Sequence, residues 1–172
     1  MRKNIVLTGF MASGKSTVAK VLSKKLKIRY IDIDRYIERK ENMSIKTIFN
    51  KFGEKHFREL ESKAVNKISK QRNVIISTGG GVILNNKNIK SLKKRGKIFL
   101  LDASPKTVIK NLKNSRRKRP LLSTRNWEGR VYDLMNNRKN LYKKSCDYVI
   151  SVDGKSINEI CNEILEINNI SL

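Results

Sequence analysis

Residues Gly9-Phe10-Met11-Ala12-Ser13-Gly14-Lys15-Ser16 form the pattern G-x-x-x-x-G-K-[ST], whose residue types suit a polyphosphate. The glycines let the backbone fold around an anion, so that successive N–H groups and a helix N-terminus point at it. Lys15 is then placed to span the β- and γ-phosphates of a nucleotide, and Ser16 to ligate Mg2+ through its hydroxyl. The apolar run Ile5-Val6-Leu7 precedes the motif, and the helical pattern Val18, Val21, Leu22, Leu26 follows it. That is the strand-loop-helix context the chemistry needs, against the competing reading of a bare glycine turn. A phosphate loop names no acceptor. No N-K-x-D guanine-reading sequence is present, which disfavours a GTPase. Ile98-Phe99-Leu100-Leu101-Asp102 has the apolar-run-then-acid form of a magnesium-holding segment, but reads better as a buried strand ending in a polar turn.

Four further groups could do chemistry. Asp32 and Asp34 lie two apart at the end of an apolar run, so on a strand both side chains reach one face at the sheet's C-terminal edge, where open α/β sheets bind ligands. The alternative for Asp34 is the N-cap of a helix starting near Arg35. Arg58 and Glu61 occupy a helical pattern with the core stripe Phe57, Leu60, Ala64, Val65 and Ile68. Glu61 falls inside that stripe and Arg58 on its border, which makes them a salt bridge or a binding pair. Gly79-Gly80-Gly81 follows the run Val74–Ser77 and is either a close approach to a ligand or an ordinary connection. Arg138 projects near the centre of the stripe Trp127, Val131, Leu134, Leu141 and Tyr142, so it must pair, snorkel or line a pocket. His56 reads as a helix-surface residue, and Cys146 and Cys161 as structural, with no metal spacing.

The elements that must position these residues alternate. Asn4–Thr8, Arg29–Ile33, Val74–Ser77, Ile98–Leu101 and Tyr148–Val152 read as strands, with helix-length patterns between them. Right-handed crossovers then give a three-layer α/β sandwich, a parallel sheet of about five strands with helices on both faces. Pro105 fits the first turn of one helix. The 172 residues are expected to form one domain. No apolar run approaches membrane-spanning length and no charged-then-apolar leader follows Met1, so the cytoplasm is the expected location. A net charge of +24 raises nucleic acid as a partner. The positive charges are spread along the chain, however, and 26 Lys, 18 Asn and 20 Ile are residues of A/T-rich codons. Nucleic acid is therefore not expected as a physiological partner.

Taken together, the phosphate loop, Asp32-Ile33-Asp34, Phe57-Arg58, Gly79-Gly80-Gly81, Arg119-Pro120-Leu121-Leu122 and Arg138 before Leu141-Tyr142 resemble the shikimate kinases along nearly the whole chain. The order and spacing of the five later signatures are more specific than the loop alone. Ala12 departs from many relatives, which have a third loop glycine there, and a methyl is tolerated at that point if φ is negative. The resemblance implies a P-loop kinase that phosphorylates the 3-hydroxyl of shikimate with ATP and Mg2+, acting as a monomer. It places ATP against Gly9, Ala12, Ser13, Gly14, Lys15, Ser16, Thr17 and Arg119. It places shikimate against Asp34, Arg58, Gly79, Gly80, Gly81 and Arg138, with Asp32 holding magnesium through water beside Ser16. Lys15, Asp34 and Arg119 become catalytic, Glu61 orients Arg58, and a mobile lid covers about residues 112–124. Two rivals remain: a kinase of gluconate or of a nucleoside monophosphate, and an ATP-gated nucleic-acid-binding module.

Overall fold

The computed structural model describes residues 3–115 and 126–169. Asn4–Thr8 (β1), Tyr30–Asp32 (β2), Ile75–Ser77 (β3), Gly96–Asp102 (β4) and Tyr148–Ser151 (β5) form one parallel sheet in the order β2-β3-β1-β4-β5. Seven α-helices are described: Lys15–Leu26 (α1), Ile33–Glu41 (α2), Ile45–Ile68 (α3), Asn86–Lys93 (α4), Pro105–Lys113 (α5), Trp127–Ser145 (α6) and Ile157–Ile167 (α7). The expected α/β sandwich is present, and every strand lies within two residues of its expected span. No helix of the described residues is long and apolar enough to cross a membrane.

β1 is central and buried along its whole length, as a strand covered on both faces must be. Its first residue, the buried Asn4, sews two strands together at their starts. Asn4 Nδ2 donates to the Gln71 carbonyl at 2.8 Å and its Oδ1 accepts from Val74 N at 3.2 Å. α1 packs on α7 and on β3, while α3, α4 and α6 form the other layer, α4 and α6 against β4. Cys161 is fully buried in the α7 stripe, as its periodicity predicts. Ser104 caps α5 by accepting from Thr107 N, with Pro105 in the first turn.

Three local features differ from the sequence expectation. α3 is two helices joined at Gly53, whose φ of 79° breaks the run just before the segment that carries Arg58. In α6, Leu141 is 41% exposed rather than part of the apolar stripe, while Met135 packs onto the core beside Trp127 and Leu134. Leu112 and Lys113, expected at the start of the lid, are the last residues of α5. Arg119 and the rest of that segment from residue 116 to 124 lie outside the described residues.

The phosphate loop itself holds a fourth. Gly9 has a φ of 145° and Gly14 of 94°, and a Cβ on Gly9 would fall 2.6 Å from the Leu101 carbonyl oxygen. Ala12 also lies in the left-handed region, at φ 59°, so the negative torsion expected to accommodate its methyl is not the one adopted. An L-residue there costs about 1 kcal/mol. Ala12→Gly is therefore expected to raise the unfolding free energy by about 0.5–1 kcal/mol in urea denaturation, the gain at the torsion outweighing the added freedom of the unfolded chain. A loss of stability would show that this torsion is not strained.

Candidate active site

Four strand ends supply the site. β1 leads into the phosphate loop, β2 ends at Asp32, β3 at Ser77 before the triple glycine, and β4 at Asp102. A cleft of about 430 Å³ at this edge is lined by Lys15, Ser16, Asp32, Asp34, Gly80 and Asn111 among others. Residues from both the phosphate loop and the expected acceptor set thus face one space.

On the phosphate side, Lys15 Nζ donates to the carbonyls of Gly9 at 2.8 Å and Phe10 at 2.7 Å. Asn111 Nδ2, from α5, donates to the Ala12 carbonyl at 2.9 Å and so ties α5 to the loop. Ser13 is buried, its hydroxyl without a partner among the described residues, and Thr17 is exposed in the first turn of α1. Ser16 Oγ donates to Asp32 Oδ2 at 2.7 Å, and Ser77 Oγ donates to the same oxygen at 3.3 Å. The acid beside Ser16 is therefore Asp32; Asp102 is exposed. This agrees with reading the β4 segment as a plain buried strand.

Asp32 also corrects the local expectation for its neighbour. β2 ends at Asp32, and Asp34 lies in the first turn of α2 rather than on the strand, so strand alternation does not set its direction. The N-cap is Asp32, whose Oδ1 accepts from Arg35 N at 3.2 Å; it is not Asp34. Asp34 nonetheless reaches the acceptor side. Its Oδ1 lies 2.8 Å from the position a Cβ on Gly79 would take, and Glu61 Oε1 lies 3.0 Å from the same point.

Glu61 is 1% exposed, as its place in the α3 stripe predicts. Its Oε2 accepts from Arg58 Nη1 at 2.9 Å, and its Oε1 has no hydrogen-bond partner among the described residues. Burial pushes the Glu61 carboxyl above the usual range; the charge and hydrogen bond of Arg58 offset this in part, and Asp34 and Glu54 add to it. Burial alone would lower the Arg58 guanidinium, but its bonds to Glu61 and Glu54 outweigh that and raise it. Glu54 escaped the sequence reading. Its Oε1 accepts from Arg58 Nε at 3.2 Å and Nη2 at 3.0 Å. Three of the five guanidinium N–H donors are thereby used, leaving two to face a ligand. The guanidinium lies against Gly81: a Cβ there would sit 2.5 Å from Arg58 Cζ.

Arg138 is half-buried on α6, one turn before Tyr142 and close enough for its charge to act on that phenol. Tyr142 is buried, and its hydroxyl donates to the Gly80 carbonyl at 2.5 Å. Burial raises the phenol well above its ordinary value, against the pull of Arg138 and Arg58. The same phenol senses Glu61, so charged groups of α3 and of α6 lie within electrostatic reach of one side chain. The sequence marked Tyr142 only as part of an apolar stripe; a hydroxyl inside such a stripe is a signal, since a buried phenol needs a partner. His56 lies away from this chemistry, half-buried and 5.0 Å from the Phe52 ring.

A phosphate loop after the central strand of a β2-β3-β1-β4-β5 parallel sheet, opening on a cleft that it shares with Asp32, Asp34 and Gly80, defines a P-loop kinase of small molecules. Residues 11–168 match the family model described as shikimate kinase. The chain is 44% identical over 163 residues to a shikimate kinase of Caldanaerobacter subterraneus subsp. tengcongensis, covering 95% of this chain and 94% of that protein. It is 45% identical to one from Sulfurihydrogenibium, covering 95% and 96%. Its structure is similar to that of the shikimate kinase from Acinetobacter baumannii in complex with shikimate, with a TM-score of 0.91, 33% identity, and coverage of 97% and 93%. The chain belongs to the shikimate kinase family.

The buried carboxylate makes stability depend on pH. Between the ordinary glutamate pKa and the raised value in the fold, the folded protein holds more of the Glu61 proton than the unfolded chain does. Glu61 therefore makes stability fall as pH rises through that window. Denaturant unfolding of wild type and Glu61→Gln across roughly pH 4 to 8 should show the variant gaining on wild type as pH rises. A difference that does not change with pH would mean that Glu61 titrates as an ordinary surface carboxylate.

Proposed function

We infer that this chain is a shikimate kinase that moves the γ-phosphoryl group of ATP onto the 3-hydroxyl of shikimate, giving shikimate 3-phosphate and ADP on the route to chorismate and the aromatic amino acids. The observation that carries this is that Lys15 and Ser16 share one cleft with Asp34 and Gly80, while Arg58 lies against Gly81 and Tyr142, one turn beyond Arg138, holds the Gly80 carbonyl. Gluconate and nucleoside monophosphates also carry anionic groups that arginines bind, so the choice of shikimate among them is supported by the family to which the chain belongs.

The roles follow from chemistry. Gly9, Ala12, Ser13, Gly14, Lys15, Ser16 and Thr17 wrap the ATP phosphates. Lys15 leaves the loop carbonyls to bridge the β- and γ-phosphates, and Arg119 adds positive charge at the transferring group. Asp34, in the first turn of α2, accepts the hydrogen bond of the attacking hydroxyl and orients it. The free donors of Arg58, with Arg138, clamp the shikimate carboxylate, and Gly79, Gly80 and Gly81 let the sugar-like ring come close to the backbone. The hydroxyl of Ser16 and the nearby carboxylate of Asp32 are hard oxygen donors. Such oxygens suit Mg2+, an ion that keeps most of its waters and takes phosphate oxygens. Asp32 would hold it through water and Ser16 directly; when bound, the ion neutralises phosphate charge. The working unit in this reading is one chain in the cytoplasm, with no nucleic-acid partner. Its 172 residues make a single kinase domain.

A coupled ADP-release assay across shikimate, gluconate and nucleoside monophosphates tests the acceptor, and only shikimate is expected to drive turnover. Lys15→Met should remain folded and lose turnover by at least about a hundredfold, since the lysine acts on charge rather than packing. Near-normal turnover of that variant would sink the kinase reading. Arg138→Ala should weaken shikimate binding by roughly thirtyfold to several thousandfold, the cost of removing one partner of a desolvated charge pair. Arg138→Lys should also bind shikimate more weakly, because one ammonium cannot make two parallel hydrogen bonds. Calorimetric titration with shikimate and with an ATP analogue checks both; equal shikimate affinity in all three proteins would reduce Arg138 to a snorkelling side chain.

A further inference from the structure

Gly80 occupies an unusual place. A Cβ built on it would lie 3.4 Å from the backbone nitrogen of Met11 and 3.6 Å from the Gly9 carbonyl oxygen, both in the phosphate loop. The same point lies 3.5 Å from the Tyr142 hydroxyl oxygen. The residue is thus held between the donor loop on one side and α6 on the other. Its carbonyl accepts a hydrogen bond from the Tyr142 hydroxyl at 2.5 Å, and Tyr142 lies one turn beyond Arg138 on α6, within reach of its charge. The phosphate loop thus meets Gly80, and Gly80 is tied through Tyr142 to the helix that carries Arg138.

We propose that Tyr142 is a positioning residue for phosphoryl transfer, its hydroxyl latching the Gly80 carbonyl so that Arg138 and the phosphate loop are kept at a fixed separation. This rests on the kinase reading above and goes beyond it, because Tyr142 touches neither phosphate nor carboxylate there. The chemistry of the latch fits. A buried phenol held in its neutral form keeps its proton for donation over the working pH range, and a backbone carbonyl is an acceptor that substrate binding does not consume. In-line transfer depends on the distance and angle between the acceptor oxygen and phosphorus, and a misplacement of 1 Å costs about a hundredfold in rate. Removing the hydroxyl leaves both arginines available to the carboxylate. The ligand is still held, but against a loop free to shift.

Tyr142→Phe separates this from a packing role, since it keeps the ring and removes one oxygen. Expected are a kcat lower by about tenfold or more, dissociation constants for shikimate and for an ATP analogue each within about threefold of wild type, and a folded protein by thermal denaturation. This is the reverse of the Arg138→Ala pattern, in which binding is lost. Unchanged kcat in a folded Tyr142→Phe protein overturns the proposal, and so does a loss confined to shikimate affinity. Amide hydrogen exchange of the ligand-free proteins reads the latch without turnover. The peptide covering residues 78–85 should exchange faster in Tyr142→Phe than in wild type, and equal exchange in the two shows that the hydroxyl does not hold the loop. A wild type that releases no ADP with shikimate removes the functional reading, while the exchange experiment still judges the latch.

Discussion

One carboxylate joins three elements on which everything at the active edge depends. Asp32 takes the Ser16 hydroxyl from α1, the Ser77 hydroxyl from the end of β3, and the backbone N–H of Arg35 that opens α2. The β2–β3 ladder ends where it stands, with Asp32 opposite Ser77. At 8% exposure the group is shielded from water, so these bonds act in a low dielectric and are stronger than surface equivalents. Because α1 starts at the phosphate loop and α2 carries Asp34, the separation between donor loop and acceptor side is set first by this side chain.

A second constraint is steric. The loop Gly79–Gly81 runs between charged groups that leave no room for a methyl: Asp34 and Glu61 meet at Gly79, and the Arg58 guanidinium covers Gly81. The glycines matter here less for their torsions than for what they lack, since none of the three has a positive φ. Burying Glu61 costs desolvation, and the return is orientation: Arg58 is gripped by two carboxylates, one buried and one exposed, which fixes the plane of its guanidinium.

Much of this was legible in the sequence because it is local. The strands and the phosphate loop are written in contiguous residues, and Glu61 betrayed itself by interrupting a 3.6-residue stripe. What was not legible depends on distant partners. Asp34 was assigned to a strand, but β2 stops with its pairing to β3, and the Asp32 side chain starts the helix early. The torsion of Ala12 belongs to the folded loop, whose carbonyl at that point is held by Asn111 from α5. The hydroxyl of Tyr142 finds a carbonyl 62 residues away in sequence, which no periodicity reveals. Leu141 was counted as core from the helical spacing alone, whereas α6 turns that position outward to solvent.

The lysine of the phosphate loop is already engaged with its own loop's carbonyls at Gly9 and Phe10. A ligand entering there does not meet a bare ammonium; it must displace two short hydrogen bonds. A neutral hydroxyl or amide offers no better acceptor than the carbonyls it would replace, whereas a multiply charged oxyanion does. A loop built this way favours polyphosphate over sugars and amides, because only the oxyanion offers the lysine a better acceptor than the carbonyls it already holds.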